Sequence, residues 1–195
     1  MKIIGITGGI GSGKSEVLNI LNGIDGVFVI EADKLAHKLM EPGNEAYEKI
    51  IKEFGENIKT DDGFIDRSKL GAIVMNDSEK LARLNMIVHP AVKEYIIDDI
   101  SLKEKEGMEF YVIEAALLIQ DGYKEICDEI WYIHVDREER IKRLMQGRGL
   151  SREKAEEFMN NQPEDSFYAD NSDMIIDNNG SIEAMKTMVV LLLSE

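Results

Sequence analysis

The chain has 195 residues, of which 44% are hydrophobic and 31% charged, and this length and composition predict one compact domain spanning residues 1–195. Its formal net charge of −15 argues against a general nucleic-acid-binding protein, because a phosphate backbone requires a basic surface. A single cysteine excludes a multi-cysteine metal site, and the absence of a long apolar stretch or a leader segment predicts a cytoplasmic protein with no membrane partner.

A phosphate-binding loop is predicted at the start of the chain. Lys2 to Thr7 is a β-branched run typical of a buried strand, and Glu16 to Leu21 is apolar at helical spacing. The segment between them is Gly8-Gly9-Ile10-Gly11-Ser12-Gly13-Lys14-Ser15, which matches the P-loop pattern G-x-x-x-x-G-K-[ST]. The glycines allow backbone N–H groups to face phosphate oxygens, Lys14 can reach the β- and γ-phosphates, and the Ser15 hydroxyl can bind Mg²⁺. The segment predicts an ATP or GTP site.

The rest of the chain alternates between strand and helix patterns, which predicts an α/β fold with a parallel sheet and helices on both faces. Further strands are predicted at 27–30, 110–113, 130–135 and 174–176, with a last helix at about 181–193. From Asp33 to about Leu102 the pattern is mostly helical, with breaks expected at Glu41-Pro42-Gly43, Asp61-Asp62-Gly63 and His89-Pro90. We therefore expect residues 40–105 to form a helical insertion that covers a substrate.

A basic segment follows the fourth predicted strand. Residues 137–154 carry seven basic side chains against three acidic ones. A solvated amphipathic helix is one interpretation. The other is an arginine-bearing lid over about residues 140–168, which in small-molecule kinases closes over the phosphates and excludes water. The P-loop favours the lid, and the absence of the guanine-binding pattern Asn-Lys-x-Asp favours a kinase over a GTPase.

Motifs in a fixed order cover nearly the whole chain. They are Thr7 to Ser15, Ala32 to Ala36, Glu41 to Gly43, Phe54-Gly55, Gly63 to Arg67, Leu84 to Pro90 and Asp173 to Gly180. In this order and spacing they resemble the dephospho-CoA kinase family. The resemblance implies a P-loop kinase, a transferase that uses ATP and Mg²⁺. It would phosphorylate the 3′-hydroxyl of dephospho-CoA, the last step of coenzyme A synthesis, and the sequence leaves its oligomeric state open.

The resemblance also suggests roles for residues outside the loop. Asp33 is expected beside the P-loop, where it can orient or accept the proton of the attacking hydroxyl. The alternative for Asp33 is an N-cap of a helix that begins near Lys34. Glu114 ends the third strand and is expected to orient Mg²⁺ through water, with a surface carboxylate as the alternative. His89 and Pro90 are expected to contact the acceptor, with a helix break and a satisfied histidine as the alternative.

The predicted site is made of three groups. The catalytic residues are Asp33, Lys14, Arg143 and Arg148. The nucleotide-binding residues are Gly9, Gly11, Ser12, Gly13, Lys14, Ser15, Glu16 and Asn178. The acceptor-binding residues are Asp33, His89 and Pro90, and Ser15 is the direct Mg²⁺ ligand.

The sequence departs from the family pattern at five positions. They are Glu16 for threonine, His37 for arginine, Gln120 for glutamate, Gly147 for a lid arginine that Arg148 replaces one residue later, and Tyr168 for a basic residue. Most of these changes make the surroundings of bound anions less positive, so substrate affinity and rate are the properties we expect to change. Two alternative functions stay open, a P-loop kinase for another hydroxyl substrate and a nucleotide-binding regulatory protein without turnover.

Overall fold

Residues 1–194, which the computed structural model describes, form five β-strands and nine α-helices. The strands are β1 (Lys2–Thr7), β2 (Val27–Glu31), β3 (Phe110–Glu114), β4 (Glu129–His134) and β5 (Met174–Asp177). The helices are α1 (Lys14–Asn22), α2 (Ala32–Leu39), α3 (Glu45–Phe54), α4 (Arg67–Val74), α5 (Ser78–Lys105), α6 (Arg137–Arg148), α7 (Arg152–Asn160), α8 (Asp165–Asp170) and α9 (Ile182–Leu192). Two compact units are distinguished, Met1–Ile30 with Lys103–Glu195, and Glu31–Leu102.

The strands form one parallel sheet in the order β2-β3-β1-β4-β5. The central strand β1 pairs with β3, placing Ile6 opposite Glu114, and with β4, placing Gly5 opposite Ile130. Parallel neighbours require crossover connections, which the helices between the strands provide. The fold is therefore α/β, as predicted, and the loop after β1 lies at the carboxyl edge of the sheet, where ligands bind in such folds.

The sheet is buried on both faces. On one face, Ile4 packs in a cluster with Val17 of α1 and Val189 of α9, and none of these three side chains is exposed. On the other face, Tyr132 of β4 stacks on Tyr168 of α8, with ring centroids 5.4 Å apart. Because both faces are covered, the strands are nearly continuous apolar runs, which is why the sequence pattern predicted them well.

The second unit, Glu31–Leu102, is helical apart from short turns. The predicted breaks at 41–43 and 61–63 are confirmed, since both segments lie between helices. The Tyr47 hydroxyl of α3 donates a hydrogen bond of 2.5 Å to the Gly63 carbonyl, and the Asp66 carboxylate caps the start of α4. No helix within residues 1–194 is both long enough and apolar enough to cross a membrane.

The predicted helix break at His89-Pro90 is wrong, because α5 runs without interruption through Pro90. Proline removes one backbone donor and crowds the preceding turn, so an interior proline normally ends or bends a helix. Here the helix continues past it with Val92 and Ile96 buried, at 3% and 0% exposure. Burial of this apolar face offsets the local cost of the proline.

Candidate active site

The P-loop connects β1 to α1 and folds back on itself. The Lys14 ammonium donates a 2.6 Å hydrogen bond to the Gly8 carbonyl, and the Ser12 N–H donates to the Gly9 carbonyl at 3.2 Å. Gly11 has a φ of +79°, a left-handed conformation that glycine adopts without steric cost. The loop is therefore curled by local hydrogen bonds and glycine geometry, as its sequence predicts.

Asn178, predicted to bind nucleotide, lies against the loop itself. Its side-chain amide donates a 2.8 Å hydrogen bond to the Ser12 carbonyl, and the residue is 3% exposed. A Cβ atom at Gly13 would overlap this amide, so only glycine fits at that position. Asn178 therefore supports the phosphate-binding backbone from β5, a contact between residues that are far apart in sequence.

Arg140 is a residue of the site that sequence reasoning missed. It lies on α6, is 5% exposed, and its Nε donates a 2.9 Å hydrogen bond to the Ile10 carbonyl. Its Nη1 donates at 2.9 Å to Asp165, which also accepts a 3.0 Å hydrogen bond from the Tyr132 hydroxyl. Gln162 accepts the Ile10 N–H at 2.7 Å. These contacts join the tip of the P-loop to the segment that was predicted to be the lid.

Glu114 lies at the carboxyl end of β3, next to the loop. Its Oε1 is 4.0 Å from the Lys14 ammonium, and its side chain is only 12% exposed. The alternative of a solvated surface carboxylate is therefore wrong. No group of three or more His, Cys, Asp or Glu side chains within residues 1–194 could form a dedicated metal cage. Mg²⁺ does not need one, since it commonly takes one or two protein oxygens together with phosphates and water.

The first turn of α1 presents Ser15 and Glu16, both exposed. Glu16 and Arg143 approach the same point of the loop: a Cβ at Gly13 would lie 3.1 Å from the Glu16 Oε2 and 3.3 Å from the Arg143 Nη1. Because the Ser15 side chain is exposed, its hydroxyl oxygen is accessible to a metal ion such as Mg²⁺. A carboxylate and a guanidinium are brought together over the start of the helix, where the backbone carries partial positive charge.

The predicted lid, about residues 140–168, covers most of α6, all of α7 and the start of α8. Acidic partners neutralise much of the basic charge on α6 and α7. The ion pairs are Arg152 with Glu138 (2.7 Å) and Glu156 (2.9 Å), Lys142 with Glu139 (3.1 Å), and Lys154 with Glu157 (2.8 Å). A hydrogen bond from Arg152 lowers the pKa of Glu138. Exposed pairs of this kind contribute little stability, so their main consequence is that few cations of the lid are free to meet a phosphate.

The two predicted lid arginines differ in their surroundings. Arg143 donates a 2.8 Å hydrogen bond to the Asn178 carbonyl and a 3.4 Å one to Glu139, while its Nη1 is buried without a partner in the described chain. Arg148, at the end of α6, is exposed and forms no ion pair among residues 1–194. Arg143 is therefore fixed beside the loop, and Arg148 is a free cation at the tip of the lid.

The other departures from the family pattern lie in varied environments. Tyr168 is 1% exposed and stacks on Tyr132 in the sheet core, where burial raises its pKa. Gln120 and His37 are exposed. A Cβ at Gly147 would meet no atom within 4 Å, so a larger side chain fits there.

Asp33 is the second residue of α2 and is exposed. The alternative that it caps this helix is wrong, because α2 begins at Ala32 and Glu31 is in the N-cap position. His89 is partly buried and Pro90 exposed, both within α5. The catalytic role of Asp33 and the acceptor-binding role of the other two residues stay predictions.

The single cysteine has a structural environment. Burial, with smaller contributions from Asp128 and Asp173, raises the pKa of Cys127 to about 12. A Cβ at Gly5 would lie 2.9 Å from the cysteine sulfur, so the thiol fills the space beside this glycine of β1. Because the thiolate is the reactive form of cysteine, the raised pKa disfavours a nucleophilic role for Cys127.

Comparisons with known proteins agree over the whole chain. Residues 2–184 match the family model described as dephospho-CoA kinase. Dephospho-CoA kinase from Carboxydothermus hydrogenoformans is 41% identical over 195 residues, covering 100% of this chain and 94% of the relative. The structure of dephospho-CoA kinase from Campylobacter jejuni has a TM-score of 0.75 and 30% identity, covering 100% of this chain and 97% of that one. Shikimate kinase from Acinetobacter baumannii shares the fold alone, with a TM-score of 0.57, 14% identity and coverage of 100% and 94%.

Proposed function

The chain belongs to the dephospho-CoA kinase family, and on this premise we propose that it transfers the γ-phosphate of ATP to the 3′-hydroxyl of dephospho-CoA. The products are coenzyme A and ADP. The observation that carries the proposal is the P-loop, in which Lys14 lies over the loop between Gly8 and Glu114. Both substrates are small charged metabolites, and we propose that the protein meets them in the cytoplasm.

Phosphoryl transfer needs little covalent chemistry from the protein, so positioning and charge stabilisation supply most of the rate. We propose that the Lys14 ammonium binds the β- and γ-phosphate oxygens. We propose that Arg148 adds positive charge when the lid closes, because it is exposed and no acidic side chain among residues 1–194 pairs with it. Neutralising the charge that develops on the transferred group lowers the barrier more than equal binding of substrate and transition state would.

The residues present also fit Mg²⁺. The Ser15 hydroxyl would hold the ion directly, and the Glu114 carboxylate would orient it through water. A Mg²⁺ ion held there would supply positive charge that neutralises part of the charge on the nucleotide phosphates. Glu114 is suited to this task because it is held near the loop with little exposure, so solvent screens its charge only weakly.

On the acceptor side, we propose that Asp33 orients the attacking hydroxyl and accepts its proton. The Asp33 carboxylate is exposed in the first turn of α2, and its oxygens can accept a hydrogen bond from the acceptor hydroxyl. His89 and Pro90 are proposed to contact the acceptor.

Mass detection of coenzyme A after incubation with Mg²⁺, ATP and 3′-dephospho-CoA tests the function. The native protein should form coenzyme A, while Asp33→Asn should form almost none and still bind ATP in calorimetry. A panel of other hydroxyl acceptors, followed by ADP release, completes the experiment. Phosphorylation of another acceptor without coenzyme A, or ATP binding with no acceptor phosphorylated, would contradict the proposal.

A further inference from the structure

We propose that Arg140 is a positioning residue of the ATP site. Its guanidinium fixes the Ile10 carbonyl so that the N–H of the next residue, Gly11, faces the bound phosphates. The inference rests on the proposed function, since it assigns Arg140 a task within the same nucleotide site. No phosphate contact by Arg140 itself is implied, and the residue acts through the backbone of the loop.

The peptide that joins Ile10 and Gly11 is held by Arg140. Its carbonyl accepts the 2.9 Å hydrogen bond from the Arg140 Nε. In a planar trans peptide the carbonyl and the following N–H point in opposite directions, and the described chain contains no cis peptide. The Gly11 N–H therefore points away from Arg140. No acceptor among residues 1–194 takes this N–H, so it is available to a ligand.

A second peptide of the loop is fixed in the same manner. Asn178 holds the Ser12 carbonyl, and the Gly13 N–H on the opposite side of that peptide has no acceptor in the part of the chain described. The peptide before Ile10 differs, because Gln162 accepts its N–H and the Ser12 N–H donates to its carbonyl. Both polar groups of the Gly9–Ile10 peptide are therefore hydrogen-bonded within the protein, whereas the N–H groups of Gly11 and Gly13 have no acceptor among the described residues. Successive N–H groups of this kind form the concave sites that bind phosphate.

The Arg140 guanidinium is itself held in place by its hydrogen-bond acceptors. A guanidinium that is 5% exposed requires hydrogen-bonding partners, because burying an unpaired charge is costly. Asp165 supplies one at 2.9 Å, and the Tyr132 hydroxyl donates to the same carboxylate oxygen. The Nε of Arg140 donates to the Ile10 carbonyl and its Nη1 donates to Asp165, and these two hydrogen bonds fix the orientation of the planar guanidinium. The Ile10 carbonyl is therefore held in place before the loop contacts a phosphate, which lowers the cost of ordering the loop on binding.

Gly9 provides an independent sign of this arrangement. A Cβ atom at Gly9 would overlap the Arg140 guanidinium, which supplies the three nearest atoms to that point. The φ angle of Gly9 is not in the left-handed region, so its backbone conformation accepts other residues. The glycine is needed for the space that Arg140 occupies rather than for backbone freedom.

The test compares Arg140→Gln with Arg137→Gln by calorimetry of ADP and AMP binding. Arg137 lies one turn earlier on α6 and donates only to Asn160 within the described chain, so it is a matched loss of charge without a loop contact. For Arg140→Gln we expect about a tenfold rise in the ADP dissociation constant, because a misaligned N–H loses its bond to the β-phosphate. The AMP constant should change less than about twofold, since the loop holds mainly the β- and γ-phosphates. Arg137→Gln should change neither constant.

An unchanged ADP affinity in Arg140→Gln, or equal losses for ADP and AMP, would overturn the inference, the latter because it indicates a general structural effect. If Arg140→Gln does not fold, Gly9→Ala and Asp165→Asn provide the same comparison by displacing or loosening the guanidinium. Where the double variant folds, Gly9→Ala should weaken ADP binding in the native background and add little in the Arg140→Gln background. These measurements need no acceptor, so failure of the native protein to form coenzyme A would be distinguished from failure of the Arg140 inference.

Discussion

Lys14 illustrates at the residue scale how the loop is prepared for an anion. Its ammonium is held by the Gly8 carbonyl and lies 4.0 Å from the Glu114 carboxylate. The side chain is 17% exposed, so solvent screens its charge less than at an open surface. A phosphate oxygen that enters the loop therefore meets a positive charge already held in place. Such preorganisation is the main source of charge stabilisation in enzyme sites.

Replacing this charge should separate catalysis from folding. We expect Lys14→Met to retain the native thermal stability within a few degrees, since backbone contacts hold the loop, and to reduce turnover by roughly 10²–10³-fold or more. Lys2→Met is the matched control, because Lys2 is the first residue of β1, at the end of the strand away from the P-loop, and pairs with Glu129. Near-native turnover in Lys14→Met would show that the loop is misinterpreted.

Glu16 places a negative charge beside a loop that is proposed to bind phosphate. Its carboxylate suits the positive end of α1, but it lies near the part of the loop where phosphate is expected. We expect Glu16→Thr to tighten ATP binding about three- to tenfold at low ionic strength. The protein without nucleotide should lose about 0.3–1 kcal/mol of unfolding free energy.

Calorimetry and thermal unfolding measure these two effects of Glu16→Thr. Glu16→Gln is the matched control for side-chain size, and it should reproduce most of the gain in affinity because it removes the same charge. Equal or weaker ATP binding in both variants would count against repulsion by Glu16.

At the scale of the element, α6 and α7 form a hairpin with a small core of its own. Its buried members are Ile141, Leu144, Ala155 and Met159, and Ile10 and Leu150 pack against them. Since these side chains join the two helices, we expect them to move as one body. Arg148 lies at the open end of α6, where motion of the hairpin displaces a side chain most.

We therefore expect Arg148, the lid arginine without an ion pair among residues 1–194, to affect the catalytic rate rather than nucleotide affinity. We expect Arg148→Ala to lower kcat about tenfold or more with ATP affinity within about twofold, because one cation near the transferred phosphate is lost. Lys142→Ala removes a paired cation from the same helix and serves as the control. Gly147→Arg should raise kcat, since its position is open. If Arg148→Ala leaves kcat unchanged and Arg143→Ala lowers it, Arg143 rather than Arg148 supplies the positive charge to the transferred phosphate.

The sequence predicted the elements better than the contacts between them. Strand bounds agree within a residue or two because both faces of the sheet are buried, and the P-loop was evident because its residues are consecutive. The break at Pro90 was wrong because burial of α5 outweighs a local signal. Arg140 was missed because its partners, Ile10 and Asp165, lie 130 and 25 residues away, and a periodic pattern carries no information about such pairs.

At the scale of the whole molecule, the net charge of −15 is unusual for a protein proposed to bind two polyanionic substrates. Much of the basic charge in α6 and α7 is paired, while Lys14, Arg140 and Arg143 lie around the P-loop. Each of these three cations has an acidic neighbour, since Lys14 lies 4.0 Å from Glu114 while Arg140 and Arg143 pair with Asp165 and Glu139. The excess negative charge elsewhere repels itself and lowers the stability of the compact state.

This repulsion predicts a response to salt. Raising NaCl from about 20 to about 150 mM at pH 7 should increase the thermal midpoint by a few degrees, because the Debye length shortens to about 8 Å. Near pH 5, close to the sequence isoelectric point of about 4.7, the same change in salt should have little effect. A midpoint that falls with salt at pH 7 would show that attractive ion pairs outweigh the net repulsion.

The contacts of Ile10 also limit how the protein can be recombined with its relatives. Its carbonyl and N–H are bound by Arg140 and Gln162, both from the segment after β4. A chimera that exchanges the P-loop alone would set a foreign backbone against these side chains. An exchange of the α6–α7 hairpin alone would remove Arg140 from the native loop. We therefore expect a functional graft to require the loop and the hairpin together, with Gln162 and Asp165.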